Sequence, residues 1–181
     1  MSATGTTTTT WTLDPAHSTV GFAVKHMMIA TVRGSFTDIA GTVTIDGDDY
    51  TTAAVNAEID AKSITTGNDQ RDGHLRSGDF FDVENHASLA FRSTGVKALG
   101  DDELKVTGDL TIRGTTKPVT LDVTIEGTGV DPWGSERLAF TATTKIRRSE
   151  FGLTWNQALE SGGVLVSDDI RITIEGALVR Q

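Results

Sequence analysis

The sequence predicts an all-β domain of about eight antiparallel strands. Three observations carry that expectation: apolar and polar residues alternate in short runs along most of the chain, Gly- and Asp-containing turns separate the runs, and two runs lie at hairpin distance. Alternation sends every second side chain to one face, as in a strand with a buried and a wet side. A helix would scatter the same residues around its circumference.

The clearest run sets Val119, Leu121, Val123 and Ile125 against Thr120, Asp122, Thr124 and Glu126. Before it, Leu104, Val106, Leu110 and Ile112 alternate with Lys105, Thr107, Asp109, Thr111 and Arg113. Residues 114–118 read as the loop of this hairpin, since a proline is tolerated at a strand's first residue. The same pattern marks strands at Val20, Phe22 and Val24, at Val43 and Ile45, at Val55, Ala57 and Ile59, and at Leu89 and Phe91. It returns at Leu138, Phe140, Ala142 and Ile146, and at Ile170, Ile172, Ile174 and Leu178. Asp46-Gly47-Asp48-Asp49 is a typical joining turn. Such a series builds a sandwich or an up-and-down barrel.

Two segments depart from the pattern. Residues 62–86 are rich in Gly, Asp and Asn, and Asn68 is placed to cap a short helix through its side-chain oxygen. Residues 149–166 carry Phe151, Leu153, Trp155 and Leu159 among glycines and polar residues, as lids over one end of a β domain do. Residues 1–10 are expected to form a disordered polar leader, and 11–181 a single domain, in keeping with the chain length of 181 residues.

Composition narrows the function. The absence of cysteine removes disulfides, thiolate nucleophiles and cysteine-bound metals. A net charge of -9, with the sixteen Lys and Arg residues scattered, argues against nucleic acid or an anionic membrane as partner. The threonine-rich start has neither the basic flank nor the apolar centre of a signal peptide, and no segment approaches the roughly 20 apolar residues of a membrane span. A cytoplasmic protein without stable membrane insertion is the expectation.

Catalytic and metal motifs are sparse. His17, His26, His74 and His86 match no zinc spacing, and His17-Ser18 lacks a nucleophile elbow. The most charged stretch is Arg71-Asp72-Gly73-His74-Leu75-Arg76. On a helix it would put Arg71 and Leu75 on one face and pair Asp72 with Arg76. Two readings stand side by side: local stitching of a loop, or an anion clamp built from Arg71, His74 and Arg76. Small inward residues, namely Ala57, Ala61, Gly108, Ala142 and Gly176, suit either a hollow lumen or a tapered solid core.

Several motifs occur in a fixed order. They are W-x-L-D-x-x-H-S at 11–18, V-x-F-x-V-K-H-M at 20–27, V-R-G-S-F at 32–36, R-D-G-H-L-R-S-G-D-F-F-D-V at 71–83 and F-R-S at 91–93. L-T-I-R-G-T-T-K-P-V at 110–119 and I-R-R-S-E-F-G-L at 146–153 complete the set. From Trp11 to Leu178 the chain resembles the YceI-like family of polyisoprenoid-binding, lipocalin-like proteins. The resemblance implies an eight-stranded antiparallel lipocalin-like barrel, usually a homodimer, with a long isoprenoid or related amphiphile in an apolar lumen. One departure is His86-Ala87, where the family places an aromatic residue followed by proline ahead of the Leu89 strand.

The expected function is therefore non-catalytic binding, transport or sequestration of a long-chain isoprenoid, quinone or fatty amphiphile, without cofactor or metal. Lumen contacts are assigned to Val20, Phe22, Val24, Phe36, Phe91, Phe140, Ile146 and Trp155, with Phe80 and Phe81 near a mouth. Two rivals remain: an enzyme using His74, Asp72 or His17 on a hydrophobic substrate, and a solid β domain acting through its surface.

Overall fold

The alternating runs become strands of one antiparallel sheet in the computed structural model, which describes residues 5–181. The strands are β1 (Thr8–Leu13), β2 (Thr19–His26), β3 (Ala30–Phe36), β4 (Ile39–Asp46), β5 (Asp49–Asp60) and β6 (Ile64–Thr65). After the helix α1 (Asp69–Arg76) come β7 (Ser88–Ala98), β8 (Glu103–Ile112), β9 (Thr115–Val130), β10 (Glu136–Arg147) and β11 (Val166–Arg180). Neighbours follow the order β1-β4-β5-β7-β8-β9-β10-β11, and β11 pairs back onto β1 to close an eight-stranded barrel.

The ring has eight members because two of them are broken strands. On one edge of β11, Trp11 pairs with Arg180 and Leu13 with Leu178; further along, Thr19 pairs with Glu175 and His26 with Val166. β1 and β2 therefore form one line, interrupted by a single 3-10 turn at Pro15–His17. The Asp14 carboxylate accepts the Ala16 N–H at 3.0 Å and caps that turn. β3 and β4 continue one another in the same way, β3 against β2 and β4 against β1, and β6 adds a short pairing to β3.

Alternation located β2 but not β1, β3 or β6. β1 is mostly threonine, β3 carries Gly34 between Val32 and Phe36 where an apolar residue would mark the period, and β6 has only two residues. Thr8–Thr10, expected in the disordered leader, are the first half of β1, held to Asp46, Ile45 and Thr44. The rest of that leader falls in part on residues 1–4, outside the described residues. The β8–β9 connection is shorter than the five-residue loop expected. Ile112 pairs with Thr115, so the turn is Arg113-Gly114, with φ of 49° and 72°. Left-handed values at both positions match the twist of a two-residue hairpin.

Helix α1 starts where its cap predicts, with Asn68 Oδ1 accepting the Arg71 N–H at 2.9 Å. Despite His86-Ala87, β7 enters the sheet normally: Ser88 pairs with Asp60, and the Ala87 carbonyl accepts the Ala61 N–H. Two apolar clusters occupy the barrel. One gathers Phe36, Ile64, Phe80, Phe151 and Leu153 under the segments around α1 and after β10, and the other gathers Trp11, Ile45, Leu138 and Leu178. No helix among the described residues is long and apolar enough to cross a membrane.

Candidate functional site

Between the clusters lies an internal cavity of about 300 Å³. Solid protein interiors hold few voids larger than a water molecule, so the space belongs to a hollow barrel, at the lower end of small-molecule site volumes. Its wall comes from every member of the ring, for the most part from alternate residues. Along β10, for example, Leu138, Phe140, Ala142, Thr144 and Ile146 all line it.

Val20, Phe22, Val24, Phe36, Phe80, Phe81, Phe91, Phe140 and Ile146 all lie on this lining. The rings keep to the wall: Phe22 lies over Gly34 and Phe91 over Gly108, so close that a Cβ on either glycine would fall within 2.5 Å of ring carbons. Glycine is needed beneath each ring because no larger residue leaves the notch it occupies. Phe80 and Phe81 belong to the capped end, and the Phe81 ring meets Phe36 edge-on at 5.7 Å.

Trp155 is a correction, since it does not line the cavity. It packs behind the wall, its ring 4.7 Å from His74 and 5.5 Å from Phe80.

The charged helix stitches its own loop. Arg71 donates through Nε to Thr66 Oγ1 at 2.7 Å and through Nη2 to the Thr66 carbonyl at 3.0 Å. Arg76 donates to the carbonyls of Lys62 and Ile64, both at 3.0 Å, and His74 Nε2 lies 2.8 Å from Asp79 Oδ2. The expected Asp72–Arg76 ion pair is absent because Asp72 turns inward. It is buried and accepts both the N–H and the hydroxyl of Thr66. None of Arg71, His74 and Arg76 reaches the lining. His17 sits elsewhere, with Asp14 at 2.8 Å, so His17 and His74 belong to separate networks.

Arg148 is the residue that motif reading passed over. It is 6% exposed and is the one charged residue on the lining. Its guanidinium donates to four carbonyls, of Leu153, Trp155, Val166 and Ser167, at 2.7–3.1 Å. Those bonds hold residues 153–167 across the barrel end, with Phe80 beside the cation at 5.9 Å. Burial lowers its pKa below the usual guanidinium value, and the Asp168 charge opposes that shift. A signal was present: Arg148 continues the inward parity of Leu138 to Ile146, and a cation at such a position requires a dense set of acceptors.

The model of the YceI-like domain matches residues 11–178. A UPF0312 protein of Staphylococcus aureus is 40% identical over 164 residues, covering 90% of this chain and 93% of that protein. Among solved structures, the Campylobacter jejuni YCEI protein superposes with a TM-score of 0.75 at 29% identity, over 87% of this chain and 90% of that one. Burkholderia cenocepacia BcnA shares the fold with a TM-score of 0.80 at 24% identity, over 91% and 98% of the two chains. A polyisoprenoid binding domain from Saccharophagus degradans does so with a TM-score of 0.67 at 16% identity, over 94% and 98%. With its barrel, its glycine-backed aromatic wall and a family match over nearly the whole described length, this chain belongs to the YceI-like domain family.

Proposed function

We propose that the protein is a non-catalytic carrier or store for a long-chain isoprenoid, quinone or fatty amphiphile held in the lumen. The observation that carries this reading is the cavity itself, hollow and walled mostly by apolar side chains. Such a wall rewards hydrocarbon, at about 0.8 kcal/mol for each CH₂ removed from water, and offers little to a small polar substrate. The name of the Saccharophagus degradans neighbour, a polyisoprenoid binding domain on the same barrel, points the same way. Catalysis by His17, Asp72 and His74 finds no support in the geometry, because Asp14, Thr66 and Asp79 engage them separately. The same reading takes the protein as a soluble cytoplasmic homodimer, which cell fractionation and light scattering test.

Organic extraction of the purified protein followed by mass spectrometry tests the proposal. A lipid of long hydrocarbon chain, recovered in near-stoichiometric amount, is the expected result. Protein that carries no such lipid, and whose melting temperature does not respond to prenols, quinones or fatty acids, would sink it.

A further inference from the structure

Two ladders of the barrel stop short of their strands' ends, β9–β10 at Asp122–Thr143 and β5–β7, and of these the second has an open groove against its outer face. The β5–β7 register runs from Asp60–Ser88 to Asn56–Arg92 and stops there, although both strands continue. Past that rung, the bond that spans them is the Val55 N–H to Ser93 Oγ, at 2.7 Å. On their other sides both strands are paired nearly to their ends: β7 follows β8 from Ala90 to Ala98, and β5 follows β4 from Ile59 back to Ala54 and again at Asp49.

Next to this gap, over the last rungs of the ladder, the wall is thin. Gly41, Ala57 and Phe91 form one registered row across β4, β5 and β7. The first two have little or no side chain, and the Phe91 ring leans away over Gly108. On the outer side of this row lies a second, open groove, lined by Asn56, Glu58, Arg92 and Asp109 among others. Ala40, Gly41, Thr42, Ala57 and Phe91 line both the groove and the lumen. One layer of small residues therefore separates an apolar interior from a polar rim.

We propose that the β5–β7 seam is a lateral gate through which the lipid tail enters the lumen, and that the outer groove receives an uncharged polar head, a hydroxyl or carbonyl. The inference rests on the carrier reading and adds to it a route and a head-group preference. Beyond the Asn56–Arg92 rung a single bond spans the two strands, so they part there at lower cost than across a laddered stretch, and the opening lies beside the groove. Arg92 and Asn56 bond to one another at the rim, Nε to Oδ1 at 3.1 Å, and can turn to a neutral oxygen. Glu58 and Asp109 put two carboxylates against one guanidinium in the groove, which disfavours a phosphate.

Two measurements test this. In Val55→Cys/Ser93→Cys, a chain otherwise free of cysteine gains a covalent bond in place of the seam's hydrogen bond. The oxidised form should take up a fluorescent polyene fatty alcohol severalfold more slowly than its own reduced form, and Ser93→Ala should take it up faster than wild type. Equal rates in the oxidised and reduced forms, or an unchanged rate in Ser93→Ala, would overturn the gate while leaving the carrier reading intact. A wild-type protein that never binds the alcohol would overturn both. For the head, wild type should bind a prenol more tightly than the prenyl phosphate of equal length, and Glu58→Gln/Asp109→Asn should narrow that gap. Tighter binding of the phosphate by wild type would place the head elsewhere, and inorganic phosphate alone should compete with neither ligand.

Discussion

Phe140 and Gly176 face one another across β10 and β11, and the ring lies so close over the glycine that a Cβ there would fall 2.5 Å from two ring carbons. The pair repeats the arrangement of Phe22 with Gly34 and of Phe91 with Gly108. In each case the aromatic residue fills the notch left by a neighbouring glycine, so its bulk lies along the wall and the axis of the barrel stays open.

Gly176→Ala should therefore push Phe140 off the wall and into the lumen. Overpacking of this kind costs about 1–3 kcal/mol, and the lost space should reduce the chain length of lipid the protein retains. Chemical denaturation and lipid titration check the two effects; unchanged stability and capacity would contradict the account of the wall.

Arg148→Lys should be severely destabilising although it keeps the charge. An ammonium has three N–H groups on one point and cannot span the carbonyls of Leu153, Trp155, Val166 and Ser167. Each carbonyl left buried without a donor costs about 1–3 kcal/mol. Hydrogen exchange should show residues 152–166 losing protection first, before the β8–β9 hairpin.

Acid stability should depend on Asp14 and Arg137. The Arg137 guanidinium, at 2.7 Å, holds the Asp14 carboxyl down to about 2 from its usual 3.8, with His17 assisting. Arg137 also lowers the pKa of Asp131, which it meets at 2.8 Å. A depressed carboxylate stabilises the folded state fully above its unfolded pKa and loses that contribution as pH falls through the folded value. The stability gap between wild type and Arg137→Ala should thus be constant above pH 4 and shrink between about pH 4 and pH 2. A gap that stayed constant down to pH 2 would contradict the assignment.

Phe22→Arg should either unfold the barrel or abolish lipid uptake, because an unpaired charge in an apolar lumen is costly. In wild type, a prenol at about 100 times its dissociation constant should stabilise by about 2.7 kcal/mol, or roughly 5–10 °C in melting temperature. Differential scanning calorimetry of the two proteins reads both outcomes, and a folded Phe22→Arg that binds normally would place the inward face on the wrong side.

Strands with an unbroken period were legible from residues alone: Val119 to Ile125 and Leu138 to Ile146 sit on the faces that alternation assigns them. So was the Asn68 cap, since capping is a local interaction. The broken members were not, because β1 and β2 share one line only through their common partner β11, a relation between distant segments. Trp155 was misplaced for a similar reason. Its sequence neighbours suggest a lid over the lumen, whereas its contact with His74 comes from a helix about eighty residues earlier. The loop stitching by Arg71 and Arg76 was legible only as one of two readings, because the backbone carbonyls that both guanidinium groups reach are invisible to residue-type reasoning.

The pairing of Trp11 with Arg180 also sets the order in which the barrel can assemble. β7 to β11 are joined in succession by short turns or a single cap and can zip as hairpins, but the ring closes only when β1 finds β11 from far along the chain. Loop-closure entropy makes that contact late and slow. Until it forms, β11 presents an edge of unpaired N–H and C=O groups, so the interval before closure is when the folding chain is most open to strand exchange with another copy of itself.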